Sequence, residues 1–380
     1  MSNKADLISW RQKCACFDAF NDKKLLHNLL EDLIKSETVV NIEGTVVGAE
    51  SLVNFFKCLF QHFKVVNTGE DFTCDEKFTK FGESAFMVFE VLSCVLENLK
   101  REDSFSDSPV EALNFICISL VLIYEHSSGA SAWSNEKACT KSRFLLTGLM
   151  QFAKVASPSD LLQVKFSNAS VFDECLKLIQ PWLKSDNWKR NPATVHCYVG
   201  LLTTASFNLF DHLPLVLPPT LLLVDDFEPQ NQCTGIQCTQ HILEHTSKTE
   251  IYLYGRAEVL FCALLRLMYS AEEEVILALL PCILRLAQTI DFNAKDKSNA
   301  MKTTKTDELF SILLRNMLLE QKWSVRREYS KHLSNFVNAL QLAILKHLPK
   351  TFEVVESYLE ITDCEAEATR VNILRAIETM

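Results

Sequence analysis

In the second half of the chain one arrangement recurs four times: an apolar helical run, a short polar turn, then a second helical run. The first copy runs from Leu217 to Asp226, turns at Phe227-Glu228-Pro229 and continues as NQCTGIQCTQHILEH. The second spans Arg256 to Tyr269, turns at Ser270-Ala271 and continues as EEEVILALLPCILRLAQ. The third spans Asp307 to Gln321, turns near Ser324 and continues as VRREYSKHLSNFVNALQLAILKHL, read as one long helix. The fourth spans Thr351 to Ile361, turns near Cys364 and ends in EAEATRVNILRAIETM. From Pro229 to Ala271, Ser324 and Cys364 the successive intervals are 42, 53 and 40 residues, and the polar insertion Asn293 to Lys305 accounts for the long one.

Those intervals bracket the roughly 40 to 47 residues of a HEAT-type helical pair. One such pair cannot bury its apolar face alone, whereas stacking the next pair against it can. In the third copy Tyr329, Leu333, Phe336, Val337, Leu340 and Ile344 hold one face at helical spacing. In the second, Ile276, Leu279, Leu280, Ile283 and Leu284 cover more than one face, as a helix between two neighbours requires, and Pro281 predicts a kink. The expected fold is therefore all-α, an α-solenoid of HEAT-like helical pairs. A sheet-rich alternative would need many turns, yet the 380 residues hold nine Gly and ten Pro, against average usage of roughly 7% and 5%. The 25 Phe supply packing surface without polar handles.

The first half shows the same helical spacing without an equally clear repeat. Trp10, Cys14 and Phe17 begin it; Leu26, Leu29, Leu30 and Leu33, then Leu52, Phe55, Phe56, Leu59 and Phe63, continue it. Phe89, Leu92, Val95, Leu96 and Leu99 form a further face, and Phe115 to Tyr124 reads as a buried helix. The β-branched stretch Glu37 to Gly48 allows a short extended excursion. Polar breaks fall at Asn67 to Asp75, Lys100 to Pro109, Ser127 to Lys137, Ser157 to Asp160 and Ser185 to Pro192, each too short for an interdomain linker. The expected organisation is an N-terminal helical-repeat region, 1–210, continuous with a C-terminal HEAT-like region, 211–380.

Charge and cysteine usage narrow the function classes. A formal net charge of −10 opposes a general nucleic-acid surface. The densest basic stretch, Lys295, Lys297, Lys302 and Lys305, reads either as a solvated loop or as a contact for an acidic partner. No run reaching the roughly 18 apolar residues of a membrane span is evident, and MSNKADLISWRQK lacks the apolar core of a secretory signal. Fourteen Cys scattered singly, such as Cys94, Cys117, Cys262 and Cys282, predict reduced, core-filling thiols in a cytoplasmic or nuclear protein, where the Asn168-Ala169-Ser170 sequon has no meaning.

The chemistry-bearing motifs are few. No GxG phosphate loop, GxSxG elbow or kinase signature set occurs. His241-Ile242-Leu243-Glu244-His245 matches H-x-x-E-H, in which two histidines one turn apart bind zinc and the glutamate acts as base. Cys238 shares the helical face of His241 and His245, while Cys233 falls round the cylinder. The competing reading is a helix end bearing exposed histidines before a polar turn at Thr246 to Glu250; no further ligand later in the chain marks a catalytic centre. Asp225 and Asp226 do not face each other on a helix, so they read as caps for the helix starting near Gln230, or as a surface contact. Gly235 inside that helix predicts close approach of a neighbouring backbone. Arg326 and Arg327 at a helix start oppose the dipole and call for an acid such as Glu320 or Glu328, or for a partner. Arg256, near Glu250 and Glu258, is argued in the same way. The candidate partner-binding residues are Asp225, Asp226, Arg256, Arg326, Arg327 and Tyr329; neither a catalytic residue nor a cofactor is expected.

Three separated segments carry a resemblance. PPTLLLVDDFEPQNQCTGIQCTQHIL, YGRAEVLFCALLRLMY, and RREYSKHLSNFVNALQLAILKHLPKTFEVVESYLEITDCEAEATRVNILRAI occur in that order. Together they resemble the second family of Tel-two-interacting proteins, the Tti-two subunits of the TTT co-chaperone complex. The match covers about Leu213 to Thr379; the first 200 residues are similar to the family in helical character, length and order alone. The resemblance implies a non-catalytic scaffold that binds Tti-one and Tel-two helical-repeat proteins. Through them it would support maturation, stability and assembly of phosphatidylinositol-kinase-related kinases of the TOR, ATM and ATR types, with a heat-shock chaperone and its adaptor complex. The alternatives left by the residues themselves are a HEAT scaffold or adaptor for transport or for a phosphatase, and a zinc-dependent hydrolase built on His241, Glu244 and His245.

Overall fold

A computed structural model describes residues 75–380 except 103–108, 129–130, 132, 167, 185–187, 271, 294–302 and 362–366. The expected faces at Trp10 to Phe63, the stretch Glu37 to Gly48, and Lys295, Lys297 and Lys302 lie outside the described residues. The described residues are all-α, apart from one hairpin of two-residue strands, β1 (Lys165–Phe166) and β2 (Ala169–Ser170). They fall into two units that divide between Ser206 and Phe207.

In the first unit, α1 (Asp75–Glu102) packs on α3 (Glu136–Phe152). The expected face of Phe89, Leu92, Val95, Leu96 and Leu99 is buried there, and Lys141 reaches Glu90 at 2.6 Å. Burying each such apolar side chain contributes about 1.5–3 kcal/mol before the cost of ordering it. α2 (Pro109–Glu125) is buried throughout Phe115 to Tyr124, against α3, α5 (Val171–Ile179) and α6 (Pro192–Thr204). The polar breaks act as caps. Ser157 and Asp160 form a reciprocal capping box on α4 (Pro158–Gln163). Ser170 accepts from the Asp173 amide at the start of α5. Trp133 Nε1 donates to the Glu125 carbonyl at 2.7 Å, satisfying one of the orphan acceptors at the end of α2.

The second unit contains the four expected pairs: α7 (Leu213–Val224) with α8 (Pro229–Glu244), α10 (Arg256–Leu267) with α11 (Glu273–Asn293), α12 (Lys305–Leu319) with α13 (Trp323–Leu340), and α14 (Leu348–Glu360) with α15 (Ala368–Glu378). The second helices form a continuous ladder, α8 on α11, α11 on α13, α13 on α15; among the first helices α7 meets α10 and α12 meets α14. Apolar spacing explains this ladder. Thr369, Ile373 and Ala376 line one side of α15, and Val325, Tyr329, Leu333, Phe336, Val337 and Leu340 are buried along α13. α11 is buried on several sides, as expected of a helix between neighbours, and it stays helical through Pro281.

Several expectations are corrected. Glu273–Phe292 is long and apolar enough to cross a membrane by length and composition, contrary to the reading that no such run exists; in this fold it is packed by α8, α10, α12 and α13. The third copy's second helix is not continuous to Leu348: it stops at Leu340, where Gln341 takes φ 51°, and Gln341–Lys346 follows as 3-10 helix that still buries Ile344. Thr246 to Glu250 is not simply a polar turn. Ser247 and Glu250 form a capping box on the short α9 (Lys248–Tyr252), and left-handed Tyr254 and Gly255 then reverse the chain into α10. Asp291 closes the insertion by accepting from the Lys305 and Thr306 amides at 2.7 and 2.9 Å, which seats a carboxylate on the N-terminus of α12.

Candidate functional site

The turns inside the first three pairs lie side by side along one edge, because side chains near the end of a pair's first helix reach back to the preceding pair. Arg266 on α10 pairs with Asp225 at the first turn. Arg315 on α12 donates to the Tyr269 hydroxyl at 2.9 Å, and Asn316 to the Met268 carbonyl at 2.6 Å. Tyr358 on α14 donates to the Met317 carbonyl at 3.2 Å. These contacts join residues 41 to 48 apart, so the repeat interval of the sequence reappears as hydrogen bonds between pairs. They also satisfy carbonyls that the ends of α10 and α12 would otherwise leave open.

Each turn along this edge exposes an apolar side chain. Phe227 is 74% exposed at the first, Tyr269 63% at the second and Leu319 70% at the third; Trp323 at the start of α13 and Ile361 just after α14 are exposed too. Arg266 and Arg315, both exposed, lie among them. Aromatic residues and arginine in one row have the composition of protein-binding hot spots. Sequence reading located the turns but did not single out these residues. The available signal was one apolar residue at each polar turn, recurring with the repeat.

The candidate partner residues separate accordingly. Asp225 is exposed at this edge. Neither aspartate occupies the N-cap of α8: that position is Glu228, without a side-chain cap bond, while Asp226 is buried and accepts from the Asn231 side chain at 2.6 Å. Tyr329 is buried, so a partner cannot reach it. Arg326 is also buried. Instead of the expected salt bridge to Glu320 or Glu328 it donates to the Glu320 backbone carbonyl at 3.1 Å and lies 3.9 Å from the Tyr358 ring centroid. Glu328 pairs with Lys331. Arg327 is half-buried on α13. Arg256 sits over the rings of Phe210 and Tyr254, at 5.6 and 5.1 Å, whereas Glu250 serves the α9 capping box and Asn208. Gly235 behaves as expected: a Cβ there would lie 2.6 Å from the Val224 backbone nitrogen.

His241, Glu244 and His245 come together at the C-terminal end of α8, with one ligand-capable atom of each within 4.8 Å of the others. The two imidazole centroids are 4.2 Å apart. His245 Nδ1 lies 3.0 Å from the His241 carbonyl, to which it donates, so that Nε2 carries the free lone pair. Glu244 is exposed, 3.5 Å from Arg285 and 3.2 Å from Gln240. Cys238 is fully buried instead, and burial pushes its thiol up to about 12; burial also raises half-buried Cys233. Neither belongs to the cluster of His241, Glu244 and His245.

Stacked antiparallel helical pairs with an exposed apolar turn edge define a helical-repeat protein of the α-solenoid class. No protein-family model matches the chain. By sequence it is similar to TELO2-interacting protein 2: 33% identical to that of Mus musculus over 209 residues, 54% of this chain and 41% of that protein. It is 30% identical to that of Homo sapiens over 251 residues and 29% to that of Rattus norvegicus over 249, in each case 65% of this chain and 49% of the relative. The resemblance to the TELO2-interacting protein 2 family is thus shown over more than half of the chain. The chain spans about half the length of the curated relatives it matches. Each match is longer than the segment from Leu213 to Met380, so the similarity extends into the first half, beyond the three segments read from the sequence.

Proposed function

We propose that this chain is a non-catalytic scaffold that presents its turn edge to a Tel-two-type helical-repeat partner. The observation that carries this reading is the similarity to proteins named for interaction with TELO2. The edge of Phe227, Tyr269, Leu319 and Trp323 supports it, since apolar and aromatic side chains held outward by a rigid repeat suit docking. In the fuller form of the proposal the chain is a subunit of a TTT-type co-chaperone complex with Tti-one and Tel-two proteins. That complex would support maturation, stability and assembly of phosphatidylinositol-kinase-related kinases of the TOR, ATM and ATR types, together with a heat-shock chaperone and its adaptor complex. Nine described cysteines, all free thiols, fit work in the reducing cytoplasm or nucleus.

Affinity capture of the tagged full chain, read by mass spectrometry, tests the assignment. Tel-two and Tti-one relatives recovered together in comparable amounts are expected. Their absence, with a transport GTPase or a phosphatase catalytic subunit in their place, would transfer the chain to another class of scaffold.

A further inference from the structure

The cluster at the end of α8 has no role in the docking proposed above. From its geometry we propose that His241, Glu244 and His245 form a binding site for one divalent transition metal of the zinc class. Histidines at i and i+4 with a carboxylate at i+3 present their donors on one helical turn, and this one is open to solvent at Glu244. Two imidazoles and one carboxylate suit zinc, whereas calcium and magnesium prefer oxygen ligands.

Three further observations favour the site. The Nδ1–H of His245 is held by the His241 carbonyl, the outer-shell bond that aims Nε2 at a metal. The three residues occupy the last turn and C-cap of α8, the end of the helix whose dipole favours a cation. Closure is short: bonds of about 2.0–2.2 Å place tetrahedral ligands roughly 3.3 Å apart, and the present atoms lie within 4.8 Å. Glu244 can make up the difference by rotating, since its link to Arg285 is long and both side chains are well exposed. Arg285 is therefore the competitor of the metal for Glu244. It keeps its own hold on the helix end by donating to the Leu243 carbonyl at 3.1 Å.

The test is titration of the purified, fully reduced full chain with Zn²⁺ by calorimetry and with Co²⁺ by absorption spectroscopy. One equivalent should bind, and the cobalt spectrum should lack an intense thiolate band, because the ligands are nitrogen and oxygen. His241→Ala and His245→Ala should each weaken binding at least about tenfold, comparable to losses from disturbing a metal's outer shell. Glu244→Gln should weaken it less, and Arg285→Ala should tighten it several-fold by releasing Glu244. Melting curves without metal report folding of each variant; because Glu244 is exposed, its variant keeps the test open if a histidine variant fails to fold. A His241→Ala/His245→Ala double variant that binds zinc as tightly as the wild type, a thiolate band with cobalt, or no saturable binding would overturn the proposal.

Discussion

A single methyl group added at Gly235 would sit 2.6 Å from the Val224 nitrogen and 2.9 Å from the Leu223 carbonyl carbon, both backbone atoms that cannot swing aside. Gly235→Ala should therefore cost about 1–3 kcal/mol, read by chemical denaturation, although alanine is ordinarily the better helix former. Arg326 and Arg266 offer a second comparison. Arg326 is buried against the Tyr358 ring and the Glu320 carbonyl, where a lysine cannot replace its planar fork, so Arg326→Lys should destabilise by about 1–2 kcal/mol. Arg266 pairs with Asp225 in water, and Arg266→Lys should stay within about 0.5 kcal/mol. Buried His126 and half-buried His196 and His332 oppose folding in acid. Burial lowers His126 from 6.5 to about 4, and lowers His196 and His332 in the same direction. The folded value lies below the unfolded one, so this stability is complete above pH 6.5 and is lost as the pH falls toward 4. His126 alone accounts for about 3 kcal/mol at 1.36 kcal/mol per unit. Stability measured across that window should fall accordingly, and less steeply in His126→Gln; a flat profile would contradict it. None of these burial effects is visible in a sequence, because they arise from the helix packed opposite.

Among the elements, those defined by periodicity and turn residues were legible beforehand. Leu260, Phe261, Leu264 and Leu267 announce α10 by their spacing, and the polar turns at Phe227 and Ser270 fall where helices end. The break after α13 was not legible: QLAILK continues the apolar spacing, and nothing in Gln341 itself signals φ 51°. The short α9 carried a signal that was passed over, the Ser-x-x-Glu capping box of Ser247 and Glu250. The join between α12 and α14 depends on such a box too. Asp307 caps α12 with Thr304 and receives His347 Nε2 at 3.0 Å and Lys346 at 3.4 Å. Burial opposes ionisation of Asp307, but the hydrogen bonds from Thr304 and His347 and the Lys346 ammonium outweigh it and hold the carboxyl below its ordinary value. Its contribution is present above 3.8 and is lost as the pH falls through the lower folded value. Asp307→Ala should lower stability at neutral pH by about 1–3 kcal/mol, from the lost cap and the lost charged hydrogen bonds, as followed by denaturant melts.

At the scale of the molecule, recurrence is what the sequence showed best. Intervals of 42, 53 and 40 residues between turns became an actual ladder of helices, with cross-pair hydrogen bonds at nearly the same spacing. What recurrence could not show is which residues along the ladder remain outside. Arg326 and Tyr329, offered as partner contacts, are buried, Tyr329 on the apolar face that its spacing predicts; Phe227, Tyr269, Leu319 and Trp323, not offered as contacts, are exposed. The histidine cluster was legible as a motif, but the hold of Arg285 on Glu244 was not, since 41 residues separate them. The central claim, that the turn edge docks a Tel-two-type partner, is tested most directly by titrating that purified partner into the full chain and into a Phe227→Ser/Tyr269→Ser/Leu319→Ser/Trp323→Ser variant. If the edge carries the contact, the variant stays folded, melting somewhat lower for loss of the Arg315–Tyr269 bond, and binds at least about a hundredfold more weakly, as expected when two or more hot-spot side chains are lost. Wild-type affinity in a folded variant would contradict the account.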